Sequence, residues 1–253
     1  MPTPIEFMNR YRNVVVNFEI DDAAARVCRT GSATVRLNKY FMMDWTPGTT
    51  EMSHFSAVSS GSAKDRWFQQ NRQRIQTAAM GKGAPDDYGL ALQWAVLSQK
   101  IKDPSQATIQ AYFDQNLGID CSGFATNYLV ACGKLTNSVS TLQNTGAESF
   151  FQPAKAVNDP SRVQPGDLLV LMKNNAVVRG PGHVMVVDRY LPGSTPGGNM
   201  RVVEATAAGG ANPKLLDSMY SVEKINNKGG VVPCMILDVK RFNIPASVAV
   251  IRF

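Results

Sequence analysis

The hydrophobic and polar positions along the chain predict strands at its start and end, with helices between them. Residues 13–20 and 33–41 are rich in β-branched and aromatic side chains, and they predict two strands that pair as a hairpin. Further strands are predicted by similar patterns near residues 167–172, 183–190, 200–206, 231–239 and 247–253.

Helices are predicted in the central part of the chain. The first runs from residue 62 to about residue 78 and ends before the glycine-rich break at residues 81–84. Pro85, a residue type favoured in a first helical turn, opens the second. The third begins after Asp103-Pro104, and the fourth begins at Cys121. Helices followed by an antiparallel sheet predict an α+β fold.

The pattern also predicts how the chain is divided. The break near residue 85 separates an N-terminal strand and helix region, residues 1–84, from a larger domain, residues 85–253. The N-terminal region carries no pattern that assigns it a role. The 253 residues are enough for one large domain or for one domain with a smaller companion.

Composition bounds the class of protein. Hydrophobic residues make up 44% of the chain and charged residues 18%, values typical of a globular protein. No apolar run has the length of a transmembrane helix, so no membrane span is expected. The first residues show no basic segment followed by an apolar one, so no Sec-type signal is visible. Three localisations stay open: cytoplasmic, exported by a route other than Sec, or exported with a signal that has been removed.

The formal charge of +6 favours an anionic partner. A cell-wall polymer, a nucleic acid and an acidic lipid all meet that description. The basic residues are spread along the chain and do not alternate with aromatic ones, so no specific nucleic-acid partner is predicted.

The cysteine pattern argues against a disulfide framework and against zinc. The four cysteines are scattered, and no Cys-x-x-Cys or His-x-x-x-His pair gives the spacing of a metal site. No glycine-rich phosphate loop follows a strand, so no cofactor is implied. Three of the cysteines are expected to pack in the core: Cys28, Cys132 and Cys234.

Cys121 is different because of its position at a helix start. Asp120 is a natural N-cap, and Phe124 and Tyr128 continue an apolar helix face. The unpaired N–H groups and the positive end of the helix dipole stabilise an anion in this first turn. A thiol held there loses its proton more readily, and the thiolate is the attacking form. Cys121 is therefore the candidate nucleophile.

The chain has two histidines, and they are the candidates for a base. His54 lies in a polar stretch without a clear period and is expected at the surface. His183 follows a Gly/Pro turn and leads into a β-branched run, which places it at the start of a strand. Glu204 lies on the next predicted strand, where a carboxylate would fix the tautomer of the imidazole. The sequence thus predicts a Cys121–His183–Glu204 triad.

Four motifs in this order resemble the NlpC/P60 family of papain-like cysteine peptidases. They begin at Asp120-Cys121-Ser122-Gly123, Gln164-Pro165-Gly166-Asp167, Gly182-His183-Val184 and Val202-Val203-Glu204, and the resemblance spans about residues 111–253. It implies a papain-like core, with the cysteine at the start of a helix packed on an antiparallel sheet, and an N-terminal extension or small domain. It also implies supporting or substrate-binding positions at Asp120, Ser122 and Tyr112. Two positions depart from the family, Glu204 in place of His, Asn or Gln, and Met185 where glycine is common.

The resemblance implies a hydrolase, a thiol endopeptidase or amidase that cleaves the stem peptides of bacterial peptidoglycan through a thioester acyl-enzyme. Two alternatives stay open. The same thiol would serve an acyltransferase, deamidase or transglutaminase acting on a protein or lipid, and an idle binding module would keep the residues without the chemistry. The sequence does not identify an inhibitor or immunity partner.

Overall fold

The structure is a computed structural model of the chain. It describes residues 1–22, 27–41, 55, 63–180, 182–193, 197–208, 212–241 and 243–253. His54 and the side chain of Cys28 lie outside the described residues.

The described residues contain α-helices that lie before the main sheet in the chain. They are α1 (Pro4–Tyr11), α2 (Ala63–Ala79), α3 (Pro85–Leu97), α4 (Gln106–Asn116), α5 (Cys121–Ala131) and α6 (Val139–Asn144). Short 3₁₀ turns follow at Ala147–Phe150, Pro153–Lys155 and Pro160–Arg162.

The strands form two sheets. One is a hairpin of β1 (Val14–Asp22) and β2 (Val27–Val35). The other, in the order β4-β3-β5-β6-β7-β8-β9, consists of β3 (Leu168–Lys173), β4 (Ala176–Val177), β5 (Val184–Pro192), β6 (Gly198–Ala205), β7 (Leu215–Asn226), β8 (Ile236–Arg241) and β9 (Ile244–Ile251).

The larger sheet closes on itself. Antiparallel pairing of β9 with β3, which sets Leu168 opposite Ile251, joins the two ends into a barrel of six strands, from β3 through β5 to β9. The predicted fold, an α+β papain-like core with a helix packed on an open antiparallel sheet, is therefore wrong. The structure is a mixed α/β fold in which the sheet has no free edge along these strands, and the pairing of β3 with β9 is the physical reason.

The barrel interior is apolar. Alternate residues of each strand face inwards, and thirteen buried side chains form one cluster. They are Val157, Leu169, Met185, Val187, Met200, Val202, Tyr220, Val222, Met235, Leu237, Val239, Val248 and Val250. Helix α5 packs on β5 and β6, where Val184, Val186 and Val203 on the other face are also buried.

The described residues form two compact units. The first holds the barrel and α5 and consists of Met1–Met8, Cys121–Thr206 and Leu215–Phe253. The second consists of Asn9–Asp120 and Ala207–Lys214. These boundaries differ from the division predicted between residues 84 and 85, because α3 packs on β1 and on α2, which lie before that position.

The second unit is built around aromatic packing. Trp94 on α3 is 1% exposed, and its ring lies 4.6 Å from the ring of Phe68 on α2. Tyr88 is fully buried beside Tyr11, and its hydroxyl donates to the Gly118 carbonyl at 2.6 Å. Helix α3 begins at Pro85 as predicted, and the Asp87 carboxylate accepts from the Ala84 N–H at 2.9 Å, which satisfies a free donor at the helix start.

Candidate active site

Cys121 is the first residue of α5, as the sequence predicted. It is 5% exposed, so its thiol lies at the boundary of the core. The helix is held within its unit by aromatic contacts, since the Phe7 ring lies 5.8 Å from the rings of both Phe124 and Tyr128. The nucleophile candidate is thus carried by a packed element and not by a loose loop.

Asp120 immediately precedes the helix, and the segment before it is anchored within the second unit. The Asp120 N–H donates to the Gly81 carbonyl at 3.1 Å. The Asp120 carboxylate pairs with the ammonium of Lys82 at 2.8 Å, and both side chains are buried. Asp120 therefore has a structural partner at the position where the sequence predicts an N-cap.

His183 stands directly before β5, at the place predicted for a base. Its carbonyl accepts from the Leu171 N–H at 3.0 Å, which ties the end of the loop to β3. The preceding Gly182 is tightly enclosed, because a Cβ added there would lie 2.9 Å from the Val178 carbonyl oxygen. The imidazole remains 22% exposed, so it is held by the sheet and still accessible.

Glu204 lies near the end of β6, on the strand next to β5. The register pairs Val186 with Val203, which places His183 and Glu204 on diagonal positions of the same face. The Glu204 Oε2 atom lies 2.9 Å from the His183 Nε2 atom. A carboxylate at this distance accepts the Nε2 proton, so Nδ1 is the nitrogen left for the thiol.

The pKa of His183 depends on its two neighbours, Cys121 and Glu204. Burial lowers it, whereas the hydrogen bond and charge of Cys121, together with those of Glu204, raise it, and the net effect is a pKa of about 9. The imidazole is consequently protonated at neutral pH when the thiol is ionised. The geometry can therefore support a thiolate–imidazolium pair.

Glu204 is held by more than His183. Arg241 donates from Nη1 to the Oε1 atom, and the Tyr220 hydroxyl lies 3.2 Å from Oε1 and 3.3 Å from Oε2. Arg241 also donates to the Ser218 hydroxyl at 3.1 Å. Burial alone would raise the pKa of Glu204, but the hydrogen bond and charge of His183, with contributions from Ser218 and Arg241, hold it below its usual value.

Sequence reasoning did not identify these supporting residues. Arg241 had a usable signal, because Leu237, Val239 and Arg241 occupy alternate positions of β8 and a charged residue ends a buried face. Ser218 and Tyr220 lie on β7, a strand that the sequence analysis did not predict.

The remaining predicted positions have different surroundings. Ser122 is buried at the second position of α5. Tyr112 lies on α4 in the other compact unit, and its hydroxyl is buried with no hydrogen-bond partner among the described residues. Burial raises the pKa of Tyr112 to about 12, so its hydroxyl stays protonated. The structure thus brings together Cys121, His183 and Glu204 within one unit.

The described part of the chain contains no group of three or more His, Cys, Asp or Glu side chains arranged to hold a metal ion. Of the helices it contains, none combines the length and hydropathy needed to cross a bilayer. Comparisons with family models, with curated proteins and with solved structures each found no match.

Proposed function

We propose that the protein is a cysteine peptidase or amidase that hydrolyses an amide bond through a thioester acyl-enzyme. The observation that carries the proposal is the contact of His183 with Cys121 on one side and with Glu204 Oε2, at 2.9 Å, on the other. Acyl transfer by a thiol requires a nucleophile in contact with a base, and a third group that orients the base.

Each residue has a defined step. The Cys121 sulfur attacks the amide carbonyl carbon, and the backbone N–H of Cys121 is an expected donor to the developing oxyanion. The C–N bond then breaks as His183 gives its proton to the leaving amine. A water molecule, deprotonated by His183, attacks the thioester carbonyl and releases the acid and the free thiol. Glu204 keeps the imidazole oriented and balances its charge throughout.

The substrate class we propose is a stem peptide of bacterial peptidoglycan. The four motifs that resemble the NlpC/P60 family support this choice, as does the positive net charge, which suits an anionic wall polymer. The support comes from motifs and chemistry alone, because the barrel is not the core that the resemblance implied.

The first test is cleavage of purified muropeptides followed by mass spectrometry of the products. We expect Cys121→Ala to abolish cleavage, because no other group supplies the thioester, and iodoacetamide to have the same effect on the unaltered protein. Cys132→Ala is the matched control, since Cys132 follows the same helix and is only half-buried; it should retain full activity.

The outcomes separate the alternatives. Full cleavage by the Cys121→Ala protein would contradict the proposal. A product carrying an added amine in place of water would identify a transferase that uses the same thiol. If the unaltered protein leaves muropeptides intact but modifies a protein amide, the chemistry stands and the substrate class is wrong.

A further inference from the structure

A buried polar layer closes one end of the barrel interior around Glu204. The four members come from three adjacent strands, Glu204 from β6, Ser218 and Tyr220 from β7, and Arg241 from β8. Their exposed fractions are 1%, 5%, 6% and 5%, so the layer is shielded from water. The rest of the barrel interior is lined by the apolar cluster. An ionised pair is costly in such a place, and its presence calls for an explanation.

The two oxygens of Glu204 have different cationic partners. Oε1 accepts from the Arg241 guanidinium, whereas Oε2 faces His183. The Tyr220 hydroxyl donates between them, and burial and the Glu204 charge keep the pKa of Tyr220 above its usual value, so the hydroxyl stays protonated. Arg241 thus fixes the carboxylate at the end opposite to the imidazole.

The charges balance when the site is in its ionised form. The thiolate of Cys121 is matched by the imidazolium of His183, and the carboxylate of Glu204 by the guanidinium of Arg241. If Arg241 were absent, two anions would act on one imidazolium. His183 would then hold its proton too tightly to release it to a leaving amine.

We propose that Arg241 is a positioning residue of the site, which holds the Oε1 atom of Glu204 and balances its charge so that the carboxylate orients His183 without trapping its proton. The charged and titratable groups involved are Cys121 on α5, His183 before β5, Glu204 on β6, Tyr220 on β7 and Arg241 on β8. This inference rests on the proposed function, but the effect of Arg241 on the pKa of His183 can be measured without a substrate.

The test is an NMR titration of the imidazole signals. The chain has two histidines, so His54→Gln leaves the signal of His183 alone. In that background we expect Arg241→Met to raise the pKa of His183 by about one pH unit, the effect of losing one charge several ångströms away. Glu204→Gln should lower it. Arg241→Lys, which keeps the charge, should leave it close to the unaltered value.

A purely structural arginine would give a different result. An unchanged His183 pKa in a folded Arg241→Met protein would overturn the inference. If that variant does not fold, Glu204→Gln/Arg241→Met removes both buried charges together and is compared with Glu204→Gln alone. The pKa should be higher in the double variant, and equal values in the two proteins would overturn the inference as well.

Activity separates this inference from the proposed function. If the inference and the proposed function are both correct, Arg241→Met lowers kcat for amide cleavage and extends activity towards higher pH. If the unaltered protein cleaves no amide while the pKa of His183 shifts as expected, the proposed function fails and the electrostatic role of Arg241 stands. Cleavage that depends on Cys121 but is unaffected by Arg241→Met would leave the function and remove the positioning role.

Discussion

The candidate site is a row of four ionisable side chains in which each middle member has two neighbours. Cys121 interacts with His183, His183 with Glu204, and Glu204 with Arg241. Only the imidazole is appreciably exposed, at 22% of its side chain. Ion pairs in such surroundings are poorly screened, so the state of one member affects the next.

This coupling predicts how stability depends on pH. The His183 pKa is raised in the folded protein from 6.5 to about 9. A raised pKa means that the folded state binds the proton more tightly, so the contribution is full below pH 6.5 and is lost as the pH rises through about 9. The shift corresponds to about 3 kcal/mol of unfolding free energy. Urea unfolding measured between pH 6 and 10 should show that decline.

The control uses the same residue and its neighbour. Subtracting the profile of His183→Gln removes the titration of lysines and tyrosines, which also lose protons at high pH. Cys121→Ala should retain a smaller decline, because the contribution of Glu204 remains. Parallel profiles for the unaltered and His183→Gln proteins would show that the imidazole is not held by these charges.

The proximity of the three candidate residues could be predicted because their sequence positions are distinctive. Cys121 follows a natural capping residue, His183 follows a Gly/Pro turn, and Glu204 is the carboxylate on the next strand. The alternation on β8 could have drawn attention to Arg241, but the contacts of Tyr220 and Arg241 with Glu204 could not be predicted, since they depend on which strands are adjacent. Adjacency is a property of register and closure, which one strand does not encode by itself.

At the scale of elements, the connection between β4 and β5 determines where the imidazole stands. Gly182 belongs to that connection and directly precedes His183, and its N–H donates to the Gly180 carbonyl at 2.6 Å. We expect Gly182→Ala to lower the unfolding free energy by about 1–3 kcal/mol, because the new Cβ must displace backbone atoms. It should also slow alkylation of Cys121 by iodoacetamide, measured by mass spectrometry of the Cys121 peptide.

Gly229→Ala is the matched control for this change. An added Cβ at Gly229 has no atom within 4 Å, so neither stability nor the alkylation rate should change. If Gly182→Ala behaves in the same way as Gly229→Ala, the loop is not constrained as the contacts indicate.

The elements that the sequence missed are those with weak local signals. Helix α1 has only eight residues, so its apolar face is short. Strand β7 is twelve residues long, but Ser218 occupies an inward position and Met219 an outward one, which obscures the alternation. In the N-terminal hairpin, β2 begins at Val27 and not near residue 33, because Asp22 at the end of β1 pairs with Val27.

At the scale of the whole molecule, barrel closure could not be predicted from the sequence. Each of the six barrel strands has a buried face whether the sheet is open or closed, so the pattern is the same in both cases. The contact of Leu168 with Ile251 joins residues 83 positions apart, and it depends on the number of strands between them. With β7 unpredicted, the number of strands was wrong as well.

The division into two units predicts the result of cutting the chain at the break near residue 85. A fragment of residues 85–253 would lose Phe68 from Trp94, Tyr11 from Tyr88, and Phe7 from the helix of Cys121. We expect it to lack a cooperative thermal transition and to bind a hydrophobic dye, because buried aromatic surface becomes exposed. Co-expression with residues 1–84 is the control, and it should restore the cooperative transition and abolish dye binding. A fragment that unfolds cooperatively and is alkylated at Cys121 like the full chain would mean that residues 1–84 are dispensable for the site, in which case their role must be sought in binding.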